Sequence, residues 1–225
     1  MKQFTAILVS LFLFPLFSYS QVPSPTIKQE GHGWGAVIPK NWNIIVADST
    51  DFDNDMREDF VFVLQADNDY LSSLHSDIKL NAAPRILLIL MGAGDSFDSV
   101  TFGTKSDSVI LRADGGDGDP LNPNTLIKTD GNILEINYSG GTSIQWTDQY
   151  KFSYNRQTKE WPLTYYRGTE YNTSDDEAPI KVTEVDFTKK FMKQGKVKTP
   201  LPTLPKVFIE KFKPHTLTVA PGVVL

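Results

Sequence analysis

Short apolar runs separated by turn-forming residues dominate the hydrophobic and polar pattern of this chain. The runs are rich in Val, Ile, Phe, Tyr and Trp, which favour strands, and Gly, Pro, Asp and Asn lie between them. This pattern predicts strands at 44–47, 60–65, 85–91, 108–111, 126–128, 133–138, 143–146, 150–154, 163–167, 182–187 and 207–212. The predicted fold class is mainly β: an antiparallel meander that forms a curved sheet or small sandwich, with hairpins like propeller blades and few helices.

The run at 85–91 (RILLILM) is continuously apolar and lies between Pro84 and Gly92. A strand that is buried on both faces has this composition, so we expect it at the centre of a sheet. Helical periodicity is weak, and only 69–80 and 187–194 are candidate helices. The turn pairs Asp130-Gly131 and Gly140-Gly141 predict hairpins within a meander that spans 127–161.

The N-terminus has the features of a secretory signal peptide. Lys2 precedes an apolar stretch at 4–17, which is too short to span a bilayer, and small residues at 18–20 precede Gln21. We expect a signal peptide at 1–20, a leader at 21–33, a β domain at 34–200 and an extended, Pro-rich C-terminal arm at 201–225. The protein is therefore predicted to be exported, periplasmic or extracellular, with no transmembrane segment after signal cleavage.

Composition narrows the chemistry that the chain can perform. The 225 residues include no cysteine, which excludes thiol catalysis, disulfides and zinc–thiolate sites. The net charge of −5 argues against a nucleic-acid partner, because such proteins usually carry a basic face. Without disulfides, a bound metal ion is one of the few remaining ways to cross-link parts of an exported chain.

The segment 51–59 (DFDNDMRED) places aspartates at alternating positions directly before an apolar strand. Calcium prefers six to eight oxygen ligands, and a loop with carboxylates at positions 1, 3, 5 and 9 and a carbonyl at position 7 supplies most of them. The predicted metal ligands are Asp51, Asp53, Asp55, the backbone carbonyl of Arg57, and Asp59. Met56 stands where such loops usually have glycine. The alternative is a solvated acidic turn before a strand. Asp48, three residues before the loop, could add another oxygen ligand or face solvent.

A second acidic stretch, 114–119 (DGGDGD), combines aspartates with flexible glycines. Asp114, Asp117 and Asp119 could converge on a second cation or another ligand. The alternative is a surface turn that ends at Pro120.

The segment ADSTDFDNDMREDFVFVLQ (47–65) resembles the Asp-rich calcium loop of FG-GAP or VCBS-like repeats. More broadly, 34–198 resembles a family of exported bacterial proteins of uncharacterised function. The resemblance lies in the order of the motifs along the chain. After the Asp loop come the strands 85–90 and 108–111, the Gly-rich loop 115–120, the hairpins 131–146 and 150–166, and a closing strand and turn at 185–197. The resemblance implies one structural calcium loop, and it implies no enzymatic activity. A closed propeller is not expected, because the chain has one Asp loop rather than several.

Enzyme motifs are weak in this sequence. His32, His75 and His215 form no metal-ligand pair, and there is no G-x-S-x-G nucleophile motif. We therefore predict a non-catalytic exported protein with a structural calcium loop, whose biological role the sequence leaves open. One alternative is a binding or adhesion module for glycan or protein that uses the loop 114–120 or exposed aromatics. The other is a hydrolase that uses loop carboxylates. The aromatics considered are Trp34, Trp42, Trp146, Trp161, Tyr150, Phe152, Tyr154, Tyr165 and Tyr166.

Overall fold

A computed structural model describes residues 23–74, 83–94, 98–112, 119–175 and 177–225. The chain is mainly β, as predicted, and its two main sheets are antiparallel throughout. The signal peptide, the loop residues Asp114 and Asp117, and His75 lie outside the described residues.

The first sheet has five strands in the order β1-β5-β4-β3-β2. The continuous apolar run at 85–91 forms its central strand, and every residue of that run is buried, which confirms the expectation for a strand covered on both faces. The bounds are β1 (Glu30–His32), β2 (Trp42–Thr50), β3 (Asp59–Ala66), β4 (Arg85–Gly92) and β5 (Ser99–Ser106).

The second sheet is one long meander of seven strands in the order β12-β11-β10-β9-β8-β7-β6. Its long strands alternate buried and more exposed side chains, so one face packs on the core and the other faces solvent. The bounds are β6 (Ile127–Asp130), β7 (Ile133–Gly140), β8 (Ile144–Ser153), β9 (Leu163–Asn172), β10 (Lys181–Asp186), β11 (Phe191–Gln194) and β12 (Val197–Pro200).

The two sheets pack face to face as a sandwich. Their inward side chains form one apolar cluster, which includes Val61, Val63, Leu87 and Ile89 from the first sheet and Leu134, Ile136, Tyr150, Phe152 and Val185 from the second. The opposite face of the first sheet is covered by the leader, a 3₁₀ turn (Trp34–Ala36) and the helix α1 (Asn68–Leu74). This second cluster explains why β4 is apolar on both sides.

The C-terminal segment 201–225 continues the fold beyond the meander. It lies without regular structure up to residue 207, and then Ile209 and Phe212 enter the core between the sheets, where both are almost fully buried. The backbone N–H of Ile209 donates to the carbonyl of Trp161, and the hydroxyl of Ser108 donates to the carbonyl of Phe212. A short hairpin of β13 (Thr218–Ala220) and β14 (Val223–Val224) closes the chain.

Some local predictions were wrong. Residues 187–194, predicted to be helical, form a turn followed by β11, because Asp186 caps the turn by accepting hydrogen bonds from the Thr188 hydroxyl and the Lys189 backbone N–H. Residues 108–111 and 207–212 form no strand, although several of them are buried. The predicted helix at 69–80 is α1, and its second half, 75–80, lies outside the described residues.

Candidate metal site in the hairpin between β2 and β3

The predicted Asp loop is the connection of a hairpin. Thr50 at the end of β2 pairs with Asp59 at the start of β3, so residues 51–58 leave the sheet and return to it at neighbouring positions. The loop therefore begins and ends on a rigid scaffold. Its first and last aspartates are brought close together by the strand pairing alone.

Three of the four predicted carboxylates converge. Asp51, Asp53 and Asp59 each offer one oxygen, and these oxygens all lie within 4.8 Å of one another. Two oxygens that bind the same calcium ion at 2.3–2.6 Å can be at most about 5 Å apart. The spacing of the three carboxylates is thus compatible with a single shared cation.

Asp59 is the most buried of the three aspartates in this cluster. Its side chain is 1% exposed, its Oδ2 accepts a hydrogen bond from the backbone N–H of Phe52 at 2.8 Å, and its Oδ1 accepts one from the N–H of Gly92 at 2.8 Å. Burial, together with the smaller effect of the charges of Asp53 and Asp51, raises the pKa of Asp59 to about 6, although the two N–H groups lower it. A cation beside Asp59 would favour its charged form.

The loop backbone holds the other two carboxylates in place. Asp51 accepts hydrogen bonds from the backbone N–H groups of Asp55, at 3.1 Å, and Met56, at 2.9 Å. Asp53 accepts one from the N–H of Asp55 at 3.2 Å. Burial raises the pKa of Asp53, and the neighbouring charges of Asp55 and Asp51 add to the increase. The cluster is therefore a place where negative charge is poorly compensated by the protein.

Asp55 is not part of the three-carboxylate cluster. Its Oδ1 accepts a hydrogen bond from the backbone N–H of Arg57, and its Oδ2 lies 3.0 Å from the Arg57 guanidinium. Its charge is thus already paired. The role of Asp55 and of the Arg57 carbonyl as metal ligands stays a prediction.

Met56 adopts the backbone conformation that glycine usually supplies at this position. Its φ is 69°, and Asn54 two residues earlier has a φ of 59°. The side chain of Met56 is 89% exposed, so it makes little packing that could offset the cost of the left-handed conformation. The loop therefore forms this turn with a strained backbone conformation at Met56.

Phe52 anchors the loop in the core. Its side chain is fully buried and meets the ring of Trp161 edge to face at 4.7 Å between ring centroids. Because Phe52 lies between Asp51 and Asp53, this packing fixes the backbone that carries the two carboxylates. Movement of the loop is therefore coupled to the core of the sandwich.

Asp48 does not join the cluster. Its Oδ2 accepts a hydrogen bond from the hydroxyl of Thr129 at 3.1 Å, and its Oδ1 accepts one from the N–H of Ser49. Asp48 therefore connects β2 to β6, which joins the two sheets.

The second acidic stretch has a structural anchor. Asp119 forms a bidentate pair with the guanidinium of Arg85, which is 4% exposed and also donates to the side chain of Gln65 and the carbonyl of Leu111. Burial alone would raise the pKa of Asp119, but the hydrogen bonds and charge of Arg85 lower it below its ordinary value. The carboxylate of Asp119 is thus already paired with the guanidinium of Arg85. That Asp114 and Asp117 bind a cation stays a prediction.

Most of the aromatics considered for a glycan face are in the core. Trp34 is 43% exposed, and Trp146 and Tyr165 are partly buried. The remaining six are buried: Trp42, Trp161, Tyr150, Phe152, Tyr154 and Tyr166. The aromatic side chains therefore provide no broad exposed platform within the described residues.

A buried carboxylate that the sequence did not reveal lies on β8. Asp148 accepts a hydrogen bond from the hydroxyl of Tyr166 at 2.6 Å, and its other oxygen lies 2.8 Å from Nε2 of His215. The nearby hydroxyl of Tyr150 is buried without a hydrogen-bond partner. His215 is 67 residues from Asp148 along the chain, and no local pattern connects them.

Comparison of the chain with models of protein families, with curated proteins and with solved structures gave no match. Within the described residues, no helix has the length and apolar character that crossing a membrane requires. The candidate site must therefore be judged on its own geometry.

Proposed function

We propose that this chain is an exported, non-catalytic β-sandwich protein in which calcium, bound by Asp51, Asp53 and Asp59, stabilises the hairpin between β2 and β3. The observation that carries the proposal is the convergence of three carboxylate oxygens within 4.8 Å, at a place where burial raises the pKa of Asp59. Bringing three carboxylates this close is unfavourable unless they are protonated or share a cation.

The expected compartment supports calcium as the ion. The N-terminal sequence indicates export, and calcium is plentiful outside cells, where sites with dissociation constants of about 10⁻⁴–10⁻³ M are filled. Carboxylate and carbonyl oxygens from one loop suit calcium better than magnesium, which requires near-ideal octahedral geometry and usually keeps several waters. The carbonyl of Arg57 and water molecules would complete the coordination shell.

A hydrolase would use the same carboxylates differently. Asp59 has the raised pKa of a general acid, and Asp51 and Asp53 are close enough to act as its charged partner. However, Asp59 is 1% exposed, and both of its oxygens accept hydrogen bonds from backbone N–H groups. A general acid has to reach the substrate, so this geometry favours a structural ion over a reaction.

A calcium titration of the mature protein, followed by thermal unfolding, tests the proposal. At 10 mM calcium the free energy of unfolding should rise by about 1.4–2.7 kcal/mol, and the Tm by about 3–10 °C. Asp53→Asn and Asp59→Asn should each abolish most of this shift. Magnesium at the same concentration should have a smaller effect.

Asp130→Asn is the matched control, because Asp130 is an exposed aspartate at the end of β6. It should leave the calcium-dependent shift unchanged. Equal Tm values with and without 10 mM calcium would reject the proposal, as would a shift that survives in both loop variants.

A further inference from the structure

A continuous row of polar side chains crosses the solvent-facing side of the seven-stranded sheet. Cross-strand pairing aligns one residue from each of six neighbouring strands, so that each lies directly opposite the next. From β7 to β12 these residues are Asn137, Gln149, Arg167, Glu184, Lys193 and Lys198. Directly opposite residues point to the same face of a sheet. The row therefore runs from β7 to β12, perpendicular to the strands, over about 24 Å.

One end of this row lies in an open groove of about 310 Å³. Its lining includes two cations, Lys128 and Arg167, the amides of Asn137 and Gln149, and the hydroxyls of Thr147 and Thr169. Asp148 also contributes to the lining, but its carboxylate is bonded on the inner face to Tyr166 and His215. The groove is thus polar and positively charged.

Positive charge continues along the row beyond the groove. Glu184 is placed between two cations, 3.9 Å from Arg167 and 3.6 Å from Lys193. Lys198 follows directly opposite Lys193, and like charges at opposed positions destabilise a sheet. The row therefore carries more positive than negative charge, with Arg167, Lys193 and Lys198 against Glu184. The ammonium of Lys198 lies over the ring of Phe191, 3.9 Å from its centroid.

This charge stands out against the composition of the whole chain. Residues 181–213 contain nine lysines and three acidic residues, whereas the complete chain has a net charge of −5. Edge strands often carry lysines that prevent aggregation, and this accounts for some of them. It does not account for Arg167, because β9 is an interior strand of the seven-stranded sheet and places Arg167 at the groove.

We propose that this row and its groove form a binding surface for an acidic polysaccharide, a linear polymer of sugars that carry carboxylates, which lies across the strands from β7 to β12. The cations match the carboxylates, and the interspersed amides and hydroxyls match the sugar hydroxyls. Nucleic acids are held mainly by dense arrays of Lys and Arg on their phosphates, whereas here the cations alternate with neutral hydrogen-bonding groups.

The surface is distinct from the hairpin between β2 and β3, and the proposal does not depend on the calcium site. Binding can therefore be measured on the mature protein at a fixed 1 mM calcium, with thermal unfolding in the same buffer as the control for folding. The probes are hyaluronan and oligogalacturonate fragments of defined length, with dextran as a neutral polymer. A DNA duplex and phosphatidylglycerol vesicles test the other polyanions.

Lys128→Gln/Arg167→Gln should weaken binding of every acidic fragment by roughly tenfold. Lys193→Gln/Lys198→Gln should weaken binding of decasaccharides but not of disaccharides, which are short enough to remain within the groove. Lys28→Gln/Lys40→Gln is the matched control, because both lysines are exposed and belong to the leader and the turn before β2. It removes the same charge and should leave the affinity unchanged.

Several results would overturn the proposal. One is the absence of binding to both acidic polysaccharides, and another is binding to the DNA duplex or the vesicles that is at least as tight. Equal losses of affinity in the Lys128→Gln/Arg167→Gln variant and the Lys28→Gln/Lys40→Gln control would show that binding depends only on the net charge of the protein and not on the groove. A length-independent effect of Lys193→Gln/Lys198→Gln would reject the arrangement across the strands.

Discussion

The carboxylate of Asp59 accepts a hydrogen bond from the backbone N–H of Gly92, 33 residues further along the chain. This bond connects the base of the Asp loop to the last residue of the central strand β4. A Cβ atom at position 92 would lie 2.7 Å from Cβ of Arg57 and 3.0 Å from the carbonyl oxygen of Glu58. Glycine at this position is therefore required by the close approach of the loop.

Gly92→Ala should destabilise the protein by about 1–3 kcal/mol, because the added methyl group pushes the loop away from β4. The same displacement should lengthen the bond to Asp59 and weaken the response of the Tm to calcium. Gly35→Ala is the control, since a Cβ atom there would meet no atom within 4 Å. A Gly92→Ala protein with the Tm and calcium response of the wild type would contradict this account.

The pKa of Asp59 predicts how stability without calcium depends on pH. Its folded-state pKa is raised to about 6, while an unfolded aspartate titrates near 3.9. The folded state therefore binds the proton more tightly, and this stabilisation is fully present below about pH 4 and is lost as the pH rises to about 6. We expect the contribution of Asp59 to the free energy of unfolding in a chelator to fall by about 2–3 kcal/mol over this range.

Calcium should reverse that trend, because it binds the deprotonated carboxylates. The calcium-dependent increase in the Tm should therefore be small at pH 4.5 and reach its full size above about pH 6. Asp59→Asn should remove this contribution to the pH slope in the chelator, and Asp130→Asn should retain it. Denaturant unfolding between pH 4 and pH 8 gives the measurement, and an identical slope in wild type and Asp59→Asn would count against the raised pKa.

The buried side chain of Arg85 predicts a loss of stability when it is removed. It donates to Gln65, Leu111 and Asp119 while it is 4% exposed, so Arg85→Ala leaves three acceptors, all of them at least partly exposed, without this donor. We expect a loss of about 1–3 kcal/mol in the free energy of unfolding. The exposed Arg112 is the control, and Arg112→Ala should change stability by less than about 0.5 kcal/mol.

Asp119→Asn distinguishes the charge of this pair from its packing. The variant keeps the shape of the side chain but removes one acceptor and the ionic attraction, so its loss should be smaller than that of Arg85→Ala. If Arg85→Ala unfolds at the same denaturant concentration as the wild type, the pairing of Arg85 with Asp119 does not contribute to stability.

The apolar pattern predicted the fold class and most long strands, because it records which residues are buried. It placed β4 at the centre of a sheet, where the continuous run at 85–91 is buried. It missed β5, whose sequence SVTFGTKS has few large apolar residues, because this strand is held by pairing with β4 and β1. It also predicted a strand at 108–111, where Val109 and Ile110 are buried in a loop that the hydroxyl of Ser106 orders.

The candidate metal site was predictable only in part. Alternating aspartates indicated a loop that gathers carboxylates, and Asp51, Asp53 and Asp59 do converge. The sequence could not show that Arg57 neutralises Asp55 or that Gly92 donates to Asp59, because the first depends on side-chain conformation and the second on a strand pairing across 33 residues. The pair of Asp148 and His215 had no local signal for the same reason.

The last segment of the chain provides the final prediction. Phe212 is 1% exposed, and its ring lies 5.0 Å from the ring of Tyr150 and 5.6 Å from that of Phe152, measured between centroids. Phe212→Ala should therefore cost about 3–5 kcal/mol, as expected for a large aromatic in a core. The exposed Val224 is the control, and Val224→Ala should change stability by less than about 1 kcal/mol. Limited proteolysis should cut Phe212→Ala near the C-terminus while the control stays intact, because Phe212 is the largest of the buried side chains that hold the segment after residue 207 to the sandwich. If Phe212→Ala and the control unfold at the same temperature and resist the protease equally, the segment 201–225 is an independent arm rather than part of the core.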